Sequence, residues 1–186
     1  MDIRKELKQI IDASPWGRRS VYSVTSELSK VLSYFRSYHI DGETLDDDAL
    51  IKAMTPEFQR DNDQWTQEIQ QGFVEAIICG CPTELILYSL KDEDGFQSLT
   101  ECYLLDGLQR STAISDWQNG KFKAFGYDVA DLSHRAIMKA SRITIRVMTF
   151  DSHEDACEFY IKFNRGSVAH TDSAFDKAEK WLNRNA

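Results

Sequence analysis

The residues best suited to chemistry fall in three polar clusters: PEFQRDNDQW (56–65), LLDGLQRSTAI (104–114) and FNRGSVAHT (163–171). Each combines Gln or Asn with Arg in a segment that reads as a turn or an irregular stretch, where such side chains are free to meet a ligand. The second cluster is the most explicit. An apolar run breaks at Asp106-Gly107 and resumes as a helix whose first turn carries Gln109, Arg110, Ser111 and Thr112. A strand-to-helix turn of this kind aims unpaired backbone N–H groups and the positive end of a helix at one point, and that point favours an anion. A guanidinium beside it offers paired, charge-assisted bonds to phosphate oxygens. Each cluster also has a bland reading, since an Arg near a helix start usually forms a surface ion pair and an Asp-Gly is usually just a turn.

Elements that would position these clusters can be read from periodicity. Ile3, Leu7, Ile10 and Ile11 predict a helix over 2–13, ended by SPWGRR. Val24, Leu28, Val31, Leu32 and Phe35 predict a second helix over 23–38, and an acidic turn precedes a short helix from about Asp47. Ile69, Phe73, Ile77 and Ile78 mark a helix closing at Gly80. Strands are expected over 83–90 and 100–106, joined by a charged hairpin-type loop. A helix over 108–117 ends at Asn119-Gly120, a looser stretch runs to about Asp131, and a half-buried strand covers 141–150. Two capped amphipathic helices, 152–164 and one beginning near Thr171, complete a mixed α+β domain.

Composition limits the partners. The chain carries a formal charge of −8, unevenly spread: residues 1–39 are about +3, 40–101 about −12 and 102–186 about +1. A chain-wide nucleic-acid stripe is therefore unsupported, and any anion site must be local. Four cysteines show neither Cys-x-x-Cys spacing nor histidines placed for zinc, which predicts reduced thiols, with Cys79-Gly80-Cys81 read as a small-residue helix end. No apolar run long enough for a membrane span and no basic-then-apolar leader is present, which predicts a cytoplasmic protein with no membrane partner. There is no Walker loop.

FQRDNDQW, then GCPTELILY after a helix, then YLLDGLQRSTAI together resemble the ParB-like domain at the N-terminus of GmrSD-type modification-dependent restriction enzymes. More distantly the chain is similar to the nucleotide-binding domain of ParB and to the sulfiredoxin fold. The resemblance covers about residues 55–170, and two positions depart from the family's pattern: Leu108 stands where its Asp-Gly-Gln-Gln-Arg box has the first Gln, and Phe58 where Tyr is common. It implies a small mixed sheet with surrounding helices over 53–186; the helical spacing read above makes residues 1–52 a helical extension before it, with capping of the site and a homodimer both open as its role. It implies a nucleoside triphosphate as ligand, with Mg²⁺. Asp106 and Gly107 would form the phosphate-facing turn, with Asp106 as metal ligand. Gln109 and Arg110 would bind or polarise phosphoryl oxygens, helped by Ser111 and Thr112, while Gln59 and Arg60 would close a clamp from the other side. Asn164 and Arg165 match a family loop loosely. Sulfiredoxin-like chemistry would need a cysteine in the box, and Cys102 is expected to be buried and inert in its strand.

Three functions stay open. The first is a nucleotide-binding domain with weak or lost hydrolysis, Leu108 bearing on turnover. The second is a DNA-binding or nicking relative using Arg142, Arg146, Lys162 and Arg165. The third is an acidic, non-catalytic inhibitor or adaptor of a host enzyme, of phage or mobile-element type, using the acidic run 41–48.

Overall fold

The computed structural model describes residues 3–13, 21–59, 65–93, 97–132, 141–165 and 173–185. Its elements in chain order are α1 (Ile3–Ala13), β1 (Val21–Glu27), a 3-10 turn (Leu28–Lys30), α2 (Val31–Ser37), α3 (Asp47–Ala53), α4 (Gln67–Ile78), β2 (Glu84–Lys91), β3 (Gln97–Asp106), α5 (Leu108–Gln118), α6 (Val129–Leu132), β4 (Arg142–Phe150), α7 (His153–Arg165) and α8 (Ser173–Asn185). The four strands form one mixed sheet in the order β1-β4-β2-β3. β4 is antiparallel to β1 and parallel to β2, while β2 and β3 are antiparallel with a register shift between Ile86 and Leu87. The fold is thus α+β, as the periodicity predicts.

Alternation along the strands divides the interior in two. Leu85, Leu87, Cys102, Leu104, Ile143, Ile145 and Val147 face a core built with α2, α3, α4 and α5. Ile86, Tyr88, Leu105 and Phe150 face a second, aromatic-rich core built with α7, α8 and Phe58. Phe58 lies 5.4 Å from Trp181 and 5.7 Å from Tyr160, ring centre to ring centre.

The helix expected over 23–38 is not formed. Its first part is β1, paired along its length with β4 from Val21 opposite Met148 to Glu27 opposite Arg142, and only Val31–Ser37 is α-helical. The run Val21-Tyr22-Ser23-Val24-Thr25 is rich in β-branched and aromatic residues, and an available edge on β4 outweighs the helical spacing of Val24 and Leu28. Residues 1–52 are accordingly not a purely helical extension: β1 joins the sheet, and Leu28, Val31, Phe35 and Leu50 belong to the first core.

The outer edge of β3 is covered by coil rather than by a strand. Cys102 N–H donates to the Tyr38 carbonyl (2.8 Å) and Leu104 N–H to that of Met54 (2.7 Å). This keeps the end of β3, where the Asp-Gly turn follows, fixed on both sides.

Candidate phosphate site at the β3–α5 turn

Gly107 makes the turn. Its φ of +110° is a backbone conformation that side chains disfavour, and a Cβ there would lie 2.7 Å from Leu85 Cδ2. As the N-cap of α5 it brings no side chain to the first-turn N–H groups, so no side chain of its own caps the helix start. Ser111 N–H, the first to bond within the helix, donates to the Gly107 carbonyl at 2.8 Å.

Arg110 is held in place by the fold. Its Nη2 donates to the Asp106 carboxylate one turn earlier and its Nη1 to the backbone carbonyl of Glu84 at the start of β2. Glu84's own carboxylate takes Arg146 at 2.6 Å. Only Oδ2 of Asp106 is engaged by Arg110, and a carboxylate has acceptor capacity on both oxygens.

Gln109 is 5% exposed. Its Oε1 accepts the backbone N–H of Trp65 at 3.3 Å, which orients the amide and leaves Nε2 as a buried donor with no partner. An unpaired buried donor costs about 1–3 kcal/mol. Gln109 lines a cavity of about 340 Å³, bounded also by Gln59, Trp65, Asp106, Gly107, Leu108, Arg110, Tyr160, Phe163 and Asn164.

The structure therefore gathers Gln59, Asp106, Gly107, Gln109, Arg110 and Asn164 around one space. It does not gather every residue implied by the resemblance. Ser111 is fully buried, with a hydroxyl lacking a partner, and does not line this cavity. Thr112 lines a different, larger cavity on the far side of Leu108. Gln59 is engaged within the fold, since its Nε2 donates to the carbonyls of Leu104 (3.1 Å) and Leu105 (2.9 Å) and ties the segment after α3 to the end of β3. Asn164 back-bonds to the Tyr160 carbonyl one turn earlier at 2.9 Å. Arg60, and the side chain of Arg165, lie outside the described residues.

No protein-family model, curated protein or solved structure matches this chain. The site therefore stands on its own geometry.

Three residues were missed by sequence reasoning. Trp65 closes the first polar cluster but contributes through its backbone N–H, which no side-chain pattern reveals. Tyr160 and Phe163 are hidden in the apolar face of α7, where they read as core. Only their position one turn and one residue before Asn164 hints at a shared wall.

The remaining clusters are internally engaged. Arg146 is paired with Glu84 and Lys162 with Glu158, which neutralises two of the four cations considered for nucleic acid. In the acidic run, Asp46 caps α3 by accepting Ala49 N–H (2.8 Å), Asp47 pairs with Arg36, and Asp48 pairs with Lys121. All four cysteines are free: Cys79 and Cys81 are exposed, Cys102 and Cys157 buried, and burial pushes each of the latter thiols up to about 12. Among the described residues no helix is long and apolar enough to cross a membrane.

Proposed function

We propose that the chain binds a nucleoside triphosphate on a ParB/sulfiredoxin-like domain, with the phosphates at the β3–α5 turn. The observation that carries this reading is Gln109, a buried residue that lines one cavity with Gly107, Leu108 and Arg110 at the start of α5, and whose amide, oriented by Trp65, keeps a donor without a partner. The unpaired amide donor, the helix start and the guanidinium prefer the same occupant, an oxyanion. Arg110 is pre-oriented by Asp106 and Glu84, so little side-chain entropy is lost when a phosphate arrives.

The Mg²⁺ implied by the resemblance fits in one mode. Asp106 is the only acidic residue among the described residues lining this cavity, and its Oδ1 is not used by Arg110. Mg²⁺ is commonly bound through one or two carboxylates plus the substrate's phosphates, and there it supplies charge neutralisation. Asp106 would be its protein ligand, and Arg110 would hold that carboxylate in position.

Thermal unfolding with each ribonucleoside triphosphate plus Mg²⁺ tests the proposal. Ligand at about one hundred times its Kd stabilises by about 2.7 kcal/mol, a rise in Tm of roughly 5–10 °C for a chain of this size. The same ligand is expected to leave Arg110→Ala unshifted relative to that variant's own Tm. No shift of the wild-type chain with any of the four nucleotides would remove the proposal.

A further inference from the structure

Two cavities flank the first turn of α5, and Leu108, 6% exposed, lines both. On one side lies the phosphate cavity. On the other is a space of about 650 Å³ walled by Leu108, Thr112 and Asp116, which recur every four residues along one face of α5, and by Ile51, Thr55 and Pro56 of α3 and the segment after it. That volume falls within the range usual for small-molecule sites, which is roughly 300–1,000 Å³.

Its chemistry differs from that of its neighbour. Ile51, Pro56 and Leu108 supply apolar wall, and the charged groups include both signs, with Asp116 taking Lys121 Nζ at 2.8 Å and Gln70 Nε2 at 3.1 Å. Lys121 is shifted upward by its hydrogen bonds to Asp116 and Asp48, so it stays charged and tied to both. Thr55 Oγ1 donates to the Ile51 carbonyl at 2.6 Å, which leaves its lone pairs to accept. Apolar wall beside fixed acceptors suits a planar heterocycle and a sugar, whose amino and hydroxyl groups donate, and Lys52, Lys121 and Lys177 at the same cavity are set among Asp48, Glu57 and Asp116.

We infer that the nucleoside end of the ligand occupies this larger cavity, crossing Leu108 from the phosphate turn, so that the α3–α5 groove determines selectivity for a nucleoside over bare polyphosphate. The inference rests on the phosphate reading above. It gives Leu108 a positioning role, as the apolar threshold against which the sugar packs.

The test compares inorganic tripolyphosphate with ATP, GTP, CTP and UTP in turn, each with Mg²⁺, by calorimetric titration of the wild-type chain and of Thr55→Phe. In the wild type at least one nucleotide is expected to bind tenfold or more tighter than tripolyphosphate. Thr55→Phe, which projects a ring into the larger cavity, is expected to bring that nucleotide down to the tripolyphosphate level and to change tripolyphosphate itself by less than twofold. Equal affinity of tripolyphosphate and every nucleotide in the wild type overturns the inference and leaves the phosphate site standing, and this arm is independent of how the variant folds. A parallel loss of both ligands in a folded Thr55→Phe, or no loss of either, also overturns it. Failure of all five ligands to bind the wild type removes the phosphate reading and the inference together.

Discussion

Among the described residues two Asp-Gly turns are served by an arginine, and only one of them borders a cavity beside an unsatisfied buried donor. At Asp41-Gly42, Arg36 donates Nη1 to the carbonyls of Gly42 (2.7 Å) and Leu45 (2.6 Å) and Nη2 to Asp47. Gly42 N–H donates to the His39 carbonyl at 2.9 Å, and no buried side-chain donor is left unpaired among residues 36–48. At Asp106-Gly107 the arginine is tied in the same style, to a carboxylate and a backbone carbonyl, yet the amide of Gln109 next to it has no partner. An arginine beside a glycine turn is therefore common to both. What distinguishes a site from a buttress is the donor the fold leaves unpaired beside an open space.

The glycines give the largest test of this contrast. A Cβ on Gly42 would sit 2.2 Å from the Arg36 carbonyl oxygen, and one on Gly107 2.7 Å from Leu85 Cδ2 with φ at +110°. Gly42→Ala and Gly107→Ala are each expected to destabilise by about 3 kcal/mol, from overpacking in the first and overpacking plus backbone strain in the second. Denaturant unfolding measures that loss. The nucleotide-induced rise in Tm should persist in Gly42→Ala and vanish in Gly107→Ala, and its survival in both would erase the distinction between the turns.

The arginines come next. Arg36→Ala leaves Asp47, whose side chain is 19% exposed, and two carbonyls short of a partner, at a cost of about 2 kcal/mol. Nucleotide should still protect it. Arg110→Ala should lose a similar amount and respond to no nucleotide. If Arg36→Ala also became unresponsive, the acidic turn would have to be counted as part of the binding apparatus.

Much of this frame was legible in the sequence. β2, β3, β4, α4, α5 and α7 fall within a residue or three of where periodicity puts them, and the Asp106-Gly107 break needs only the turn chemistry of glycine. β1 was not legible, because Val24, Leu28, Val31 and Leu32 satisfy a helical spacing that only pairing with β4 overrides. Within the site, Asp106, Gln109 and Arg110 were readable as types in a pattern. Their partners, the Glu84 carbonyl and the Trp65 N–H, are backbone atoms brought in from 26 and 44 residues away, and backbone atoms leave no signature in side-chain composition. Gln59 was read as a clamp because its type suits phosphate, whereas its amide is engaged by the end of β3.

A smaller perturbation separates stability from binding at the site itself. Gln109→Met keeps the volume, removes the unpaired Nε2 and forfeits the bond from Trp65 N–H. These effects oppose each other, so stability should stay within about 1 kcal/mol of wild type. Nucleotide affinity should fall by about tenfold or more, the loss of one hydrogen bond to a charged group. A residue kept polar at a cost to the fold is expected where binding selects it. Unchanged affinity in Gln109→Met would reduce the orphan amide to a packing defect, and the two Asp-Gly turns would then be alike.

The smallest expected effect concerns turnover, and it bears on what the second turn is for. Leu108 follows Gly107 directly and lines both cavities, and its apolar side chain offers no group to orient a water against a phosphate. With Leu108 the site is expected to hold nucleotide with little hydrolysis. Leu108→Gln places an amide at the start of α5, within the same turn as Arg110, and should raise the rate of phosphate release by about tenfold, equivalent to about 1.4 kcal/mol of barrier. Phosphate release from the two proteins under saturating nucleotide and Mg²⁺ measures this. Equal rates would mean that the turn binds phosphate without presenting it to water, and that Leu108 matters as a wall between the cavities instead of as a missing catalytic amide.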